Sequence, residues 1–120
     1  MHKLGGYRVQ GRDAEVAEQM LEDARVLEQA GADMSLLECV PADLAKTITQ
    51  QAAIPVIGIG AGNECDGQIL VLYDILGISA GKIPKFSKNY MSQAHDIAGA
   101  VTAYVDEVKS QAFPSVTHSF

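Results

Sequence analysis

The strongest constraint on the fold is a set of three short apolar runs, at residues 34–40, 56–60 and 68–72. Runs of this length with few polar residues are typical of parallel strands that are buried on both faces. A helical pattern precedes the first run, and another lies between the first and the second. This alternation with short connections predicts an α/β fold with a parallel sheet and flanking helices.

The number of strands limits the architecture further, because a closed parallel barrel needs eight strands. Three strands form either a small open sheet with covered edges or the later part of a (β/α)8 barrel. Strands that are apolar on both faces favour a partial TIM barrel. The 120 residues suit one domain or part of a larger one, and we predict that residues 1–120 form a single domain.

Helix signals flank the predicted strands. Asp13 suits an N-cap and Gly31 a helix end, with apolar residues at helical spacing between them. Pro41 suits the first turn of a second helix. A single helical turn is predicted at residues 74–77 and a last helix over about 91–111.

Charge and hydropathy exclude several partners. The net charge is −6, and the tightest basic group is Lys82, Lys85 and Lys88, so neither a nucleic-acid surface nor an anionic-membrane surface is predicted. These three lysines could hold an anionic cofactor tail, although a solvated loop also explains them. No apolar run approaches the ~20 residues of a membrane span. The first residues lack the apolar stretch of a secretory signal.

The two cysteines, Cys39 and Cys65, occur without a CxxC pair and without histidines at metal-ligand spacing. In an α/β chain they indicate reduced thiols and a cytoplasmic protein. Cys39 could be a nucleophile, but no histidine lies near it in the sequence, and a packed core thiol is the favoured interpretation.

Glu38 stands near the carboxyl end of the first predicted strand, where functional groups collect in parallel α/β folds. A carboxylate within an apolar run is costly unless it is paired, bound to a metal or used in chemistry. Two interpretations of Glu38 fit the sequence. It is a catalytic base, or it is a strand-end carboxylate that caps a helix, pairs with a lysine or reaches water.

The glycines Gly58, Gly60 and Gly62 end the second predicted strand, so they should face the same rim as Glu38. The pattern GxGxG matches a phosphate-binding turn only weakly, because Asp66 follows shortly and no clear helix begins there. Close approach to a ligand and tight internal packing explain the glycines equally well.

Two further segments have open interpretations. Residues 5–12 combine three glycines with Tyr7, Arg8 and Gln10, which suits either a mobile ligand-holding loop or a frayed terminus. In the last predicted helix an apolar stripe packs on the sheet or on a partner subunit. The stripe comprises Ile97, Val101, Tyr104, Val105 and Val108.

Four blocks of sequence resemble the ketopantoate hydroxymethyltransferase family in order and spacing. They are GGYRVQGR at 5–12, LECVP at 37–41, IPVIGIGAG at 54–62 and DGQILV at 66–71. The short motifs PKF at 84–86 and HSF at 118–120 also match. The resemblance covers the chain from His2 onward.

The resemblance implies a (β/α)8 barrel of the phosphoenolpyruvate/pyruvate superfamily. It implies transfer of a hydroxymethyl group from 5,10-methylenetetrahydrofolate to 3-methyl-2-oxobutanoate, with Mg²⁺ holding the keto acid. Glu38 matches the family's base, which removes a proton from carbon 3. Tyr7, Arg8 and Gln10 would lie on an active-site loop, and residues 58–62 on the substrate or folate rim.

The resemblance is to the C-terminal half of the family only. The half without a counterpart holds the metal-binding aspartates and several substrate-binding residues, so no metal ligand is expected in this chain. We therefore expect the isolated chain to be inactive. We expect its partner to be either an N-terminal half or further copies of the same chain in a homo-oligomer. The chain itself would be a fragment, a mis-started gene product or one part of a split enzyme. A non-catalytic assembly module and a phosphate-binding α/β domain are the alternatives.

Overall fold

A computed structural model describes residues 9–120 of the chain. The helices are α1 (Ala14–Gln29), α2 (Ala42–Gln51), α3 (Leu72–Leu76) and α4 (Ile97–Lys109), and the strands are β1 (Ser35–Glu38), β2 (Val56–Ile59) and β3 (Gly67–Gln68). Two short 3₁₀ turns cover Tyr90–Ser92 and Val116–His118.

The three strands form one parallel sheet in the order β1-β2-β3. Glu38 is paired with Ile59 in the register, and Ile57 with Gly67. The predicted α/β class with three parallel strands and flanking helices is confirmed. Within residues 9–120, β1 and β3 are the edges of the sheet, which does not close into a barrel.

The first two helices begin and end close to the predicted residues. The Asp13 side chain accepts a hydrogen bond from the Glu15 N–H at 2.9 Å, which satisfies one free donor at the start of α1. Gly31, just beyond the end of α1, has φ +106°, a conformation that glycine adopts at little cost. Pro41 is the N-cap residue of α2.

The later elements differ from the prediction in their limits. The last helix was expected from about residue 91 but begins at Ile97, because the Asp96 side chain caps it by accepting from the Gly99 N–H at 2.7 Å. Residues 90–92 form a separate 3₁₀ turn, which the Asn89 side chain caps. The third strand is two residues long, since Val71 is already the N-cap of α3.

The core consists of three clusters. The largest lies between the sheet and helices α1 and α2, and comprises Leu37, Val40, Ala45, Ile48, Val56, Ala61 and Cys65. The second lies between α3 and α4, with Ile75, Tyr90, Ala100 and Phe113. The third sits at the carboxyl end of β1 and β2, with Cys39, Ile59 and Phe86.

One face of β1 is open, which corrects the prediction that its strand is buried on both faces. Leu37 points into the largest core, whereas Leu36 is 56% exposed and Glu38 is exposed on the other face. The reason is that no part of residues 9–120 covers that face. Met34, just before β1, is exposed as well.

The apolar stripe on α4 serves two surfaces. Tyr104 and Val108 pack against the second core cluster, whereas Ile97, Val101 and Val105 remain exposed at intervals of four residues. Both predicted roles of the stripe therefore remain open for the exposed part. Among residues 9–120, no helix is both long and apolar enough to cross a membrane.

Candidate active site

Glu38 is the last residue of β1, and its side chain lies on the open face of the sheet. Its carboxylate makes no hydrogen bond or ion pair with any residue from 9 to 120. Within that range, the structure supports neither a lysine partner nor a helix cap. The carboxylate is therefore positioned by the backbone of β1 and is accessible to a small molecule.

The backbone turns sharply immediately after Glu38. Cys39 has φ +53°, which costs a non-glycine residue about 1–2 kcal/mol. The turn is held by two hydrogen bonds: the Cys39 N–H donates to the Ile59 carbonyl at 3.0 Å, and the Cys39 carbonyl accepts from the Gln10 N–H at 2.7 Å. The sequence did not indicate this strained turn, because cysteine is not a residue type that favours positive φ.

Cys39 is a core residue, as predicted. It is 2% exposed and packs with Ile59 and Phe86. Burial raises the pKa of its thiol, and the nearby charge of Glu38 raises it further. A raised pKa disfavours the thiolate that a nucleophilic cysteine needs, so the nucleophile interpretation loses support.

The predicted loop before α1 is only partly described. The Gln10 backbone is bound to Cys39, which places the start of this segment beside the carboxyl end of β1. Tyr7 and Arg8 lie outside the described residues, so their predicted contact with substrate stays a prediction.

The glycines after β2 pack against other parts of the chain. A Cβ on Gly58 would lie 2.9 Å from the Cys65 Sγ, one on Gly60 2.8 Å from the Phe86 ring, and one on Gly62 2.7 Å from the Ala42 Cβ. Gly60 and Gly62 also have positive φ. Tight internal packing thus accounts for all three glycines. A turn and β3 follow them instead of a helix, so the anion site that a helix N-terminus provides is missing there.

A loop after α3 covers this rim. Phe86, on that loop, is 2% exposed and fills the space beside Gly60. The loop is anchored by Asp74, a buried carboxylate that accepts hydrogen bonds from the hydroxyls of Ser79 and Ser87. Sequence reasoning did not identify Asp74, although an acidic residue among apolar ones was the available signal.

The basic side chains are engaged or solvated. Lys85 donates to the Ser119 carbonyl at 2.7 Å, and Lys88 donates to both carboxylate oxygens of Glu107 at 2.8 and 3.1 Å. Lys82 is exposed. The three lysines do not converge on the glycine rim, so an anion-binding cluster of lysines gains no support.

The histidines also have local roles. His95 is exposed, and His118 contacts Ser115. In the part of the chain that the structure describes, no three His, Cys, Asp or Glu side chains are arranged to hold a metal ion. The Mg²⁺ that the family resemblance implies therefore does not fit the residues from 9 to 120.

Comparison with known proteins supports the resemblance. The family model for ketopantoate hydroxymethyltransferase matches residues 1–116. The 3-methyl-2-oxobutanoate hydroxymethyltransferase of Alkalilimnicola ehrlichii is 62% identical over 120 residues, which are all of this chain and 43% of that protein. The enzymes of the same name from Shewanella halifaxensis and Shewanella sp. are each 57% identical over 120 residues, covering 46% of their length.

The chain thus spans less than half the length of the curated relatives it matches. The match extends over almost every residue, including Glu38, the turn at Cys39 and the glycine rim. The chain belongs to the ketopantoate hydroxymethyltransferase family.

Proposed function

We propose that this chain supplies the general base of a hydroxymethyltransferase that acts on 3-methyl-2-oxobutanoate, with 5,10-methylenetetrahydrofolate as the one-carbon donor. The observation that supports it most directly is the exposed carboxylate of Glu38 at the carboxyl end of β1, which has no hydrogen-bond or ion-pair partner among residues 9–120. The relatives' name supports both the keto acid as substrate and the transferred group.

In the proposed reaction, the Glu38 carboxylate removes the proton from carbon 3 of the keto acid. The C–H electron pair forms an enolate. Water cleaves the two C–N bonds that hold the one-carbon unit, which leaves tetrahydrofolate and a one-carbon unit at the level of formaldehyde. Carbon 3 of the enolate attacks that carbon to form the new C–C bond, and its oxygen takes up the proton from Glu38 to become the hydroxyl. General bases contribute typically about 10²- to 10⁴-fold to a rate. The rigid end of β1 would hold the carboxylate in line with the C–H bond, which is the positioning that such a step requires.

The remaining part of the site would come from a complementary N-terminal half. The uncovered sheet face and the two strand edges support this proposal, because exposed edges and apolar faces normally have partners. A groove of about 350 Å³ beside the free edge of β1 is lined by apolar residues that include Met20, Leu27, Met34 and Leu36. Together the two halves would form a (β/α)8 barrel in the cytoplasm.

The test compares the isolated chain with a chimera in which it replaces the matching part of the Alkalilimnicola ehrlichii enzyme. The chimera should convert 3-methyl-2-oxobutanoate with 5,10-methylenetetrahydrofolate and Mg²⁺, and the isolated chain should not. Turnover by the isolated chain would refute the need for a second half. A folded but inactive chimera would refute the proposed activity.

A second candidate function is a non-catalytic assembly module. The stripe Ile97, Val101 and Val105 supports it, because an exposed aliphatic row on one helix face suits contact with a second copy. Light scattering decides this point: a module that assembles on α4 should become monomeric in the variant Val101→Lys. A monomeric wild-type chain would count against an assembly role.

A further inference from the structure

The segment 113–120, which we name the strap segment, joins two of the three core clusters. At one end Phe113 is 3% exposed and belongs to the cluster between α3 and α4. At the other end Phe120 packs against the cluster of Cys39, Ile59 and Phe86, which includes the residue that follows Glu38. Eight residues therefore connect the end of α4 with the rim of the candidate site.

A set of contacts within the strap segment fixes its shape. The Nδ1 atom of His118 accepts hydrogen bonds from the Ser115 hydroxyl at 2.8 Å and the Ser115 N–H at 3.3 Å. The Ser119 hydroxyl donates to the Ser115 carbonyl at 2.7 Å, and the His118 ring lies 5.1 Å from the Phe113 ring. We call the Ser115–His118 contact the latch.

Two bonds tie the end of the strap segment to the rim. The Phe120 carbonyl accepts from the Ala42 N–H at 3.0 Å. Ala42 is the first residue of α2, and such an N–H has no acceptor within its own helix. The Ser119 carbonyl accepts from the Lys85 ammonium at 2.7 Å, which also lies 5.0 Å from the centre of the Phe120 ring.

We propose that the strap segment positions Glu38: Phe120 holds the turn at Cys39 in place, and the latch between Ser115 and His118 holds Phe120. Glu38 immediately precedes Cys39, and the strained φ of Cys39 must be maintained by its surroundings. Phe120 packs against the core cluster that contains Cys39, and the Phe120 carbonyl accepts from the first N–H of the helix that follows this turn. This inference rests on the proposed role of Glu38 as a base.

The latch depends on the charge of His118, because Nδ1 accepts hydrogen bonds only when it has no proton. The charged groups that act on the ring are Lys88, from the loop before the 3₁₀ turn, and Glu107, from α4. Burial and the Lys88 charge lower the pKa of His118, while Glu107 opposes them. The neutral ring is thus favoured at neutral pH, and acidification should open the latch.

Four variants test the strap segment. Phe120→Ala removes the ring from the third core cluster, and His118→Phe keeps an aromatic ring tilted against Phe113 but removes the acceptor. His118→Asn provides an acceptor near the position of Nδ1 but cannot become charged. Val116→Ala is the matched control, since Val116 lies in the strap segment and is 90% exposed.

The first measurement is amide hydrogen exchange at Ala42 in the full chain by NMR. Phe120→Ala and His118→Phe should accelerate exchange there by about tenfold, because local opening governs the rate. His118→Asn and Val116→Ala should match the wild type near pH 7.5. Between about pH 7 and pH 5, protection should fall in the wild type and persist in His118→Asn. Unchanged exchange in both disruptive variants would overturn the latch.

The second measurement is the kinetics of the same variants in the chimera. Phe120→Ala and His118→Phe should lower kcat by about ten- to a hundredfold with little change in KM, because a misplaced base slows the chemical step. His118→Asn should restore kcat to within about twofold of the wild type. If kcat stayed at the wild-type value in all variants while Ala42 exchange was accelerated in Phe120→Ala and His118→Phe, the strap segment would have only a structural role. That result would overturn its role in positioning Glu38. An inactive wild-type chimera would instead refute the proposed function and this inference with it.

Discussion

The ring of Phe86 rests against the Cα of Gly60, so close that a Cβ there would lie 2.8 Å from the ring. The two residues lie in separate loops, and their contact closes the rim beside the carboxyl end of β2. Gly60 also has φ +67°, so both the conformation and the space at this position require glycine.

Gly60→Ala should therefore lower the free energy of unfolding by about 2–4 kcal/mol, from backbone strain and crowding together. Gly81→Ala is the matched control, because Gly81 has φ +80° but, apart from its chain neighbours, no atom of residues 9–120 lies within 4 Å of its Cβ position. The control should lose only about 1–2 kcal/mol, the cost of the strain alone. Urea unfolding measures both values, and equal losses in the two variants would show that the Phe86 contact has no energetic role.

The Asp74 carboxylate should stabilise the loop that presents Phe86. Asp74→Asn weakens the hydrogen bonds from Ser79 and Ser87 at a buried position, which we expect to cost about 1–3 kcal/mol in urea unfolding. Asp33→Asn serves as the control, because Asp33 is exposed, and it should change stability by less than about 0.5 kcal/mol. An equally small effect of Asp74→Asn would contradict the anchoring role.

Both cysteines should be unreactive in the folded chain. Burial raises the pKa of Cys39 and of Cys65, so little thiolate is present and access is poor. A colorimetric thiol reagent at neutral pH should titrate both thiols only after denaturant is added. Rapid reaction of one thiol under native conditions would reopen the nucleophile interpretation, and a Cys39→Ser variant would identify which thiol it is.

The open face of β1 should make the isolated chain associate. Leu36 is 56% exposed there, and Leu36→Lys should reduce both association in light scattering and binding of a hydrophobic dye. Ile78→Lys is the control, since Ile78 is 62% exposed outside the sheet and should have a smaller effect. Equal effects of both substitutions would indicate nonspecific hydrophobic association instead of association through the open face of β1.

The sequence predicted those parts of the fold that local signals determine. Asp13 and Gly31 mark the limits of α1 through capping and backbone preferences, and the structure has them in those roles. Pro41, which was predicted in the first turn of α2, is instead its N-cap residue. The start of α4 was predicted near residue 91, because residues compatible with a helix precede Asp96. In the structure the helix begins only after the Asp96 cap. Local preference does not distinguish between two such possible starts.

The contacts of the candidate site were less predictable, because they join distant residues. Gly60 with Phe86, Gly62 with Ala42 and Asp74 with Ser87 are brought together by tertiary packing. The position of Glu38 at a strand end was predictable from the apolar run. Its exposure was not, since a run that is apolar on both faces predicts burial, and no part of residues 9–120 covers this face of β1.

Glu38 is proposed to remove the proton from carbon 3, and isotope exchange tests that step alone. The chimera, incubated in D₂O with 3-methyl-2-oxobutanoate and without folate, should replace the carbon-3 proton by deuterium, as followed by NMR. Glu38→Gln should slow exchange by about 10²- to 10⁴-fold. The control Glu18→Gln, at an exposed position on α1, should exchange at the wild-type rate. Wild-type exchange in folded Glu38→Gln would contradict the assignment of Glu38 as the base.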